Sequence, residues 1–161
     1  ILHWPQSHAA WNRPGIMLYG SSPTAAPADS VEGLQAAMTM RSEIIAVRDV
    51  ASGEGVGYGL DWTAERSARI GTVAIGYGDG YPRHAPSGTP VLVNGQRVPL
   101  TGRVSMDAIA VDLTDTPGVE IGDPVELWGE NLPVNEIAAA AGTISYEILA
   151  GLTGRARLVY R

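Results

Sequence analysis

The sequence predicts a mainly β fold, closed into a barrel or stacked as a sandwich, with short helices only near the C-terminal end. Many short runs rich in Val, Ile, Thr and Leu end at Gly, Pro, Asn or Asp, a pattern typical of strands joined by tight turns. Asn94-Gly95 lies between two such runs, and this pair readily takes the left-handed backbone of a type I′ hairpin turn. Alternating βαβ units are therefore not expected.

The first predicted strand is Ile16–Gly20, a short apolar run after Pro14-Gly15 that we expect to be buried on both faces. Ser21–Ser30 is rich in Ser, Pro and Ala and predicts a linker, so we expect a domain boundary between residues 20 and 35. The strands expected beyond it are Ala37–Asp49, Arg69–Gly76, Pro90–Val93, Gln96–Leu100, Ile109–Leu113, Val125–Trp128 and Ala156–Tyr160.

Two short helices complete the prediction. Val134–Gly142 is rich in Ala and ends at Gly, the usual residue after a helix C-terminus. Thr143–Gly151 follows as the second helix, with Thr143 or Ser145 as its expected N-cap.

The composition excludes several classes of function. The 161 residues include 11 Lys+Arg against 17 Asp+Glu, a balance that does not suit binding to nucleic acid, and no apolar run approaches the roughly 20 residues of a membrane span. All the basic residues are Arg, so this chain supplies neither a Schiff-base lysine nor a P-loop. His3, His8 and His84 lack ligand spacing, so no metal site is expected. The absence of Cys fits a reducing compartment, and we expect the cytoplasm.

The glycine-dense run Gly53–Gly59 leaves Tyr58 as its one aromatic side chain. A phenol has an ordinary pKa of about 10, so it acts as a general base near neutral pH only where a cation or donor network stabilises the phenolate. The alternative is a hairpin turn with a packed tyrosine, which spacing alone favours.

Two further loops collect polar and aromatic side chains. Ile75–Arg83 holds two tyrosines, an Asp and an Arg, which suits a ligand-contacting loop as well as it suits an Asp-Gly turn with exposed tyrosines. In the second loop Arg103 precedes Asp107 by four residues, which is compatible with a plain surface ion pair.

The turn at Arg13–Ile16 is a candidate anion site. Free backbone N–H groups at Gly15 and Ile16 would bind an anion as backbone nests do. A turn that enters a strand is the simpler alternative.

Five segments, taken in order, resemble the C-terminal part of the alanine racemases, a fold-type III pyridoxal-phosphate family. They are Arg13–Gly20, Val56–Gly59, Ile75–Arg83, Gly102–Asp107 and Ile144–Glu147. The resemblance implies that residues 26–161 form a Greek-key-like β-barrel C-terminal domain with short helices. Residues 1–25 would be the tail of a truncated (β/α)8 barrel, including its last strand. The chain begins at Ile1 rather than Met, so we expect a segment of a longer protein that is inactive alone.

The resemblance also implies roles for individual residues. Tyr58 would be the catalytic tyrosine that reaches across a homodimer, opposite the cofactor lysine, which lies outside this sequence. Racemisation needs a base on each face of the substrate α-carbon. Arg13 would meet the ring nitrogen of pyridoxal 5′-phosphate, and Gly15, Ile16 and Tyr146 would hold its phosphate. The implied substrate-binding residues are Met106, through its N–H to the carboxylate, and Tyr77, Arg83, Arg103 and Asp107, which would line the access corridor.

The implied function is the interconversion of L- and D-alanine, and hence D-alanine biosynthesis for the peptidoglycan of the cell wall. Two alternatives stay open. One is an independent small β-barrel module that binds a ligand with its two glycine-rich loops. The other is a serine or broad-specificity amino-acid racemase, because residues outside this sequence largely set the volume of the side-chain pocket.

Overall fold

The computed structural model describes residues 4–23 and 33–160. Its strands are β1 (Met40–Val50), β2 (Gly55–Val56), β3 (Trp62–Thr63), β4 (Ala68–Val73), β5 (Pro90–Val93), β6 (Gln96–Thr101), β7 (Ile109–Asp112) and β8 (Pro124–Trp128). The helices are α1 (Val134–Ala140) and α2 (Ser145–Ala150), with 3₁₀ turns at Pro5–Ser7, Gly15–Tyr19, Tyr58–Leu60 and Tyr77–Asp79.

Six strands close into an antiparallel barrel in the order β1-β4-β7-β6-β5-β8, and β2 and β3 form a separate two-stranded sheet. The prediction of a mainly β fold with two short late helices is confirmed. Pro90–Val93 is predicted to the residue, and most of the other strand limits differ by one to three positions.

The long strand β1 closes the barrel by pairing with two neighbours. Its first half pairs with β8, from Met40 opposite Trp128 to Glu43 opposite Pro124. Its second half pairs with β4, and the register shifts between Ile44 and Ala46. Such irregularities bend a strand, so one strand turns the corner that closure requires.

The barrel interior is filled with aliphatic side chains. Ile44, Val73, Val91, Val111 and Leu127 have no exposed surface. Burying an aliphatic side chain of this size contributes about 1.5–3 kcal/mol, so these residues are the main source of the barrel's stability.

The predicted Asn94-Gly95 turn is confirmed. Asn94 has a φ of 50° and Gly95 a φ of 77°, as a type I′ turn requires, and Val93 pairs with Gln96 across it. The Asn94 side-chain amide also donates to Asp123 Oδ2 at 2.7 Å.

The predicted strand at Ile16–Gly20 is wrong. The segment Gly15–Tyr19 is a 3₁₀ helix in which Ile16 alone is buried. Positive φ angles at Gly15 (61°) and Gly20 (78°) bend the chain at both ends, and a Cβ at Gly20 would lie 1.9 Å from the Gln35 carbonyl oxygen. The Gly20 N–H donates to the Met17 carbonyl at 3.0 Å, which closes the last turn of this helix.

Two other expectations also differ from the structure. Ala156–Tyr160 forms no strand, and Leu158 and Tyr160 are exposed, because no neighbouring strand pairs with it within residues 4–23 and 33–160. Ser21 and Ser22 are buried rather than part of a solvated linker. Residues 24–30 of the predicted linker lie outside the described residues, and the domain boundary stays a prediction.

Candidate active site

Three loops lie beside the barrel, and the third of them contacts the other two. They are the Tyr58 loop (residues 57–61), between β2 and β3, the Tyr77 loop (residues 76–83), after β4, and the Met106 loop (residues 102–107), between β6 and β7. Val73 at the end of β4 pairs with Ile109 at the start of β7, and Thr101 at the end of β6 pairs with Ala110. The Tyr77 and Met106 loops therefore emerge at the same end of the barrel.

Glycines let the Tyr58 loop approach the Met106 loop closely. A Cβ at Gly57 would lie 3.3 Å from the Arg103 backbone nitrogen, and one at Gly102 would lie 2.9 Å from the Val56 carbonyl oxygen. The guanidinium of Arg103 also pairs with the Asp61 carboxylate. Backbone packing and one ion pair thus hold the two loops together.

The Tyr77 loop is bonded to the Met106 loop through the backbone. The Tyr77 N–H donates to the Ser105 carbonyl at 3.0 Å, and the Gly78 N–H donates to the Met106 carbonyl at 2.9 Å. A Cβ at Gly76 would lie 2.3 Å from the Ser105 oxygen. Only glycine allows this approach at position 76.

Tyr58 is held outward at the tip of its loop. It lies between Gly57 and Gly59, each with a φ of 82°, and its side chain is 72% exposed. Within the described residues its hydroxyl has no hydrogen-bond partner. The expectation of a packed tyrosine is therefore wrong, and the phenol is accessible to a group from outside the chain.

The Met106 N–H is oriented by a hydrogen bond on its own peptide. The Ser105 carbonyl and the Met106 N–H belong to one planar peptide group and point in opposite directions. Because Tyr77 holds the carbonyl, the N–H direction is fixed. It donates to no group in the described parts of the chain, so it is available to an acceptor such as a carboxylate.

The remaining predicted corridor residues lie on the Tyr77 and Met106 loops. The guanidinium of Arg83 lies over the Tyr77 ring at 5.8 Å, a cation–π distance. Arg103 and Asp107 do not pair with each other, contrary to the surface ion-pair expectation. Arg103 pairs with Asp61 and Asp107 with Arg155, at 2.5 Å.

Asp61 and Arg155 are site residues that sequence reasoning missed. Arg155 also pairs with Asp79 at 3.1 Å. Its hydrogen bond with Asp107 and the negative charges of both aspartates raise the pKa of its guanidinium. No short-range signal identifies such partners, because the two loops and the C-terminal segment are far apart in the sequence.

A second group of residues forms around the first turn of α2. A Cβ at Gly15 would lie 3.9 Å from the Tyr146 hydroxyl, and the Gly15 and Ile16 N–H groups have no acceptor among the described residues. Arg13 is exposed. The structure thus brings together Gly15, Ile16 and Tyr146, three donors suited to a phosphate.

Buried hydroxyls hold this second group in place. The Ser21 hydroxyl lies 2.6 Å from Asn135 Oδ1 and 2.7 Å from Ser145 Oγ. The Asn135 amide donates to the Ser22 carbonyl at 3.1 Å. Ser145 therefore connects α2 to the segment that contains Ser21. The predicted N-cap at Thr143 or Ser145 is wrong, because Ile144 is the N-cap of α2 and forms no side-chain hydrogen bond there.

The helix α2 connects the two groups. Tyr146 lies in its first turn, and a Cβ at Gly80 in the Tyr77 loop would lie 2.6 Å from the carbonyl of Gly151, just past its end. A cavity of about 380 Å³ lies beside the second group, with Tyr19, Gly20, Ser22, Asn135 and Leu149 in its lining, and none of the three loops contributes to it.

In residues 4–23 and 33–160, no helix has the length and apolar character needed to cross a bilayer. The same residues contain no group of three His, Asp or Glu side chains placed to hold a metal ion.

The chain is similar to one family of known proteins. Residues 37–160 match the family described as alanine racemase, C-terminal domain. The chain is 59% identical over 155 residues to an alanine racemase of Stutzerimonas stutzeri, covering 96% of this chain and 43% of that protein. It thus spans less than half the length of this curated relative.

Solved structures give the same result. The crystal structure of the biosynthetic alanine racemase from Pseudomonas aeruginosa is 58% identical, with a TM-score of 0.92 over 96% of this chain and 43% of that one. An alanine racemase from Bartonella henselae with covalently bound pyridoxal phosphate is 33% identical, with a TM-score of 0.81 over 91% of this chain and 40% of that one.

Proposed function

This chain belongs to the alanine racemase C-terminal domain family, and on that premise we propose that its full polypeptide interconverts L- and D-alanine with pyridoxal 5′-phosphate. The observation that carries the proposal is the exposed Tyr58 on the same loop cluster as the free Met106 N–H. Removal of an α-proton from an amino acid uses a base near the α-carbon and a hydrogen-bond donor that holds the substrate carboxylate.

Tyr58 is the proposed base on one face of the substrate. Its phenolate oxygen takes the α-proton of one enantiomer, and its hydroxyl returns a proton when the reaction runs the other way. The second base must come from outside this sequence, which has no lysine. Because Tyr58 points away from its own domain, we propose that it acts in the site of the other subunit of a homodimer.

The second group of residues is the proposed cofactor cradle. The Gly15 and Ile16 N–H groups and the Tyr146 hydroxyl would bind the phosphate, and Arg13 would face the ring nitrogen. When bound, pyridoxal phosphate makes the substrate α-proton acidic. The fixed charge of Arg13 disfavours protonation of the ring nitrogen and so limits side reactions. The covalently bound pyridoxal phosphate named for the Bartonella henselae protein supports the choice of cofactor.

The Met106 N–H is the proposed donor to the alanine carboxylate, with Tyr77, Arg83, Arg103 and Asp107 lining the corridor to it. We propose alanine rather than serine because the similar proteins are named for alanine. The independent binding module is set aside, because the match to alanine racemases covers nearly the whole chain.

The remaining parts of the proposal concern organisation. Residues 26–161 would be the β domain, a division that the family match over residues 37–160 supports, and residues 1–25 the tail of the barrel. The chain alone would be inactive, since it lacks the second base. The full protein would work in the cytoplasm and supply D-alanine for the cell wall.

Tyr58→Phe tests the proposed base. In the full polypeptide, racemisation should fall by about 10²–10⁴-fold in both directions, because one face loses its proton carrier. Exchange of the α-proton with deuterium from D₂O should persist for one enantiomer only, since the second base remains. The absorbance of the bound cofactor should be unchanged.

Tyr160→Phe is the matched control, because Tyr160 is 90% exposed and lies outside the three loops. It should retain the activity of the unmodified protein. Near-normal racemisation by Tyr58→Phe in both directions would refute the assigned role.

A further inference from the structure

Arg155 lies where the C-terminal segment crosses the Tyr77 and Met106 loops. Its Nε pairs with Asp79 Oδ1 at 3.1 Å, and its Nη2 pairs with Asp107 Oδ1 at 2.5 Å. The planar guanidinium thus spans the two loops, with a different nitrogen facing each carboxylate.

The same carboxylate that Arg155 contacts also shapes the Tyr77 loop. Asp79 Oδ2 accepts the Gly76 N–H at 2.9 Å, while Oδ1 faces Arg155. The Asp79 side chain is only 16% exposed, so its orientation is restricted. Arg155 therefore contacts a carboxylate that is already part of the loop's own backbone network.

The chain around Arg155 adds further contacts to the Tyr77 loop. The Thr153 hydroxyl donates to the Gly78 carbonyl at 2.8 Å, and the Thr153 N–H donates to the Asp79 carbonyl at 3.3 Å. A Cβ at Gly78 would lie 2.3 Å from Arg155 Nη1. Glycine at position 78 leaves the space that the guanidinium occupies.

These contacts converge on the peptide that presents the Met106 N–H. The Ser105 carbonyl of that peptide accepts from Tyr77, and the next carbonyl, that of Met106, accepts from Gly78. Both donors belong to the loop that Arg155 holds. Movement of the Tyr77 loop would release both carbonyls and let the Met106 N–H turn.

We propose that Arg155 is a positioning residue that fixes the Tyr77 loop against the Met106 loop and thereby orients the Met106 N–H toward the substrate carboxylate. The substrate part of this role rests on the proposed function. Because Arg155 and Asp107 are largely exposed, with side-chain exposures of 49% and 66%, the charges of this pair add little to global stability. Their contribution is to loop geometry.

Arg155→Met in the full polypeptide tests the role. The carboxylate is bound alike in the ground state and the transition state, so weaker orientation should appear in KM. We expect the KM for alanine to rise by about tenfold with kcat changed by less than about threefold. Arg155→Lys keeps the positive charge but lacks the planar fork of the guanidinium. Its KM should therefore lie between that of the unmodified protein and that of Arg155→Met.

A second measurement reports on the loops directly. Hydrogen exchange of the Tyr77 and Gly78 amides should be faster in Arg155→Met by about fivefold or more, whereas the Val111 amide in the barrel should be unaffected. Arg157→Met is the matched control, because Arg157 is exposed and forms no ion pair within the described residues. It should alter neither KM nor exchange.

The outcomes separate the two proposals. Unchanged KM and unchanged exchange in Arg155→Met overturn the positioning role, and so does an equal rise in KM in Arg157→Met. If Arg155→Met does not fold, an Arg155→Lys protein with the KM of the unmodified enzyme overturns it. If the unmodified protein does not racemise alanine, the proposed function fails, and amide exchange alone then decides whether Arg155 holds the loops.

Discussion

Tyr81 illustrates how one residue of a functional loop can belong to the core. It is 1% exposed, and its ring stacks on Trp128 with 6.1 Å between centroids. Its hydroxyl and the Trp128 indole N–H are both buried without a hydrogen-bond partner among the described residues. Burial raises the pKa of the Tyr81 phenol, because the phenolate would lose its hydration.

Tyr81→Phe tests the consequence for stability. The unfolded chain releases the phenol proton above about pH 10, whereas the folded chain retains it, so stability should fall above that pH by at most about 1.4 kcal/mol per pH unit. Tyr81→Phe should remove this decline. Below pH 9 it should be neutral or stabilising by up to about 1 kcal/mol, since an unpaired buried hydroxyl is lost.

Urea unfolding between pH 7 and 11 measures both effects. Tyr160→Phe serves as the control, because Tyr160 is 90% exposed. A Tyr81→Phe protein that is less stable at neutral pH would show that the hydroxyl has a partner after all, such as a buried water.

At the scale of elements, the β5–β6 hairpin and α2 show two ways in which a short segment is fixed. The hairpin depends on its own turn, where Asn94 and Gly95 both have positive φ. The helix α2 has only six residues and no side-chain cap, too short to be stable alone. Its position depends on the Ser145 contact with Ser21.

Gly95→Ala tests how much the turn contributes. A Cβ at Gly95 would have no atom within 4 Å, so any loss comes from the φ of 77° rather than from a clash. We expect a loss of about 1–2 kcal/mol in the free energy of unfolding.

The matched control for the turn is Gly154→Ala. A Cβ there also has no atom within 4 Å and no positive φ is involved, so the change should be neutral or slightly stabilising. Equal urea midpoints for the two variants would contradict the role given to the Gly95 backbone.

At the scale of the whole molecule, closure of the barrel joins distant parts of the chain. Met40 at the start of β1 pairs with Trp128 at the end of β8. Closure leaves the six barrel strands without free edges. The two-stranded sheet, with Gly55 opposite Thr63 and Val56 opposite Trp62, remains outside this closed structure.

Hydrogen exchange should reveal this division. Amides of β1 and β8 should exchange with the same opening free energy as those of β4–β7, because neither strand can leave without opening the barrel. Amides of β2 and β3 should exchange faster, since a two-stranded ribbon is marginally stable. Early, separate exchange of β8 would contradict a single cooperative barrel.

The mainly β class, most strand limits, the Asn94-Gly95 hairpin and the loops that carry Tyr58 and Met106 could be predicted from the sequence alone. The residue types that favour tight turns and the periodicity of apolar residues are local properties, so they can be recognised from neighbouring residues. The five family segments also located the candidate site, because each of them is continuous along the chain.

What these segments contact could not be predicted in this way, because it depends on the tertiary structure. Residues 15–19 form a 3₁₀ helix instead of a strand, and Arg103 and Asp107 have separate partners, Asp61 and Arg155. Spacing along the chain carries no information on which distant side chain will pair with a charge, or on which backbone segments will approach each other closely. The closed barrel sets those distances, and with them the geometry of the candidate site.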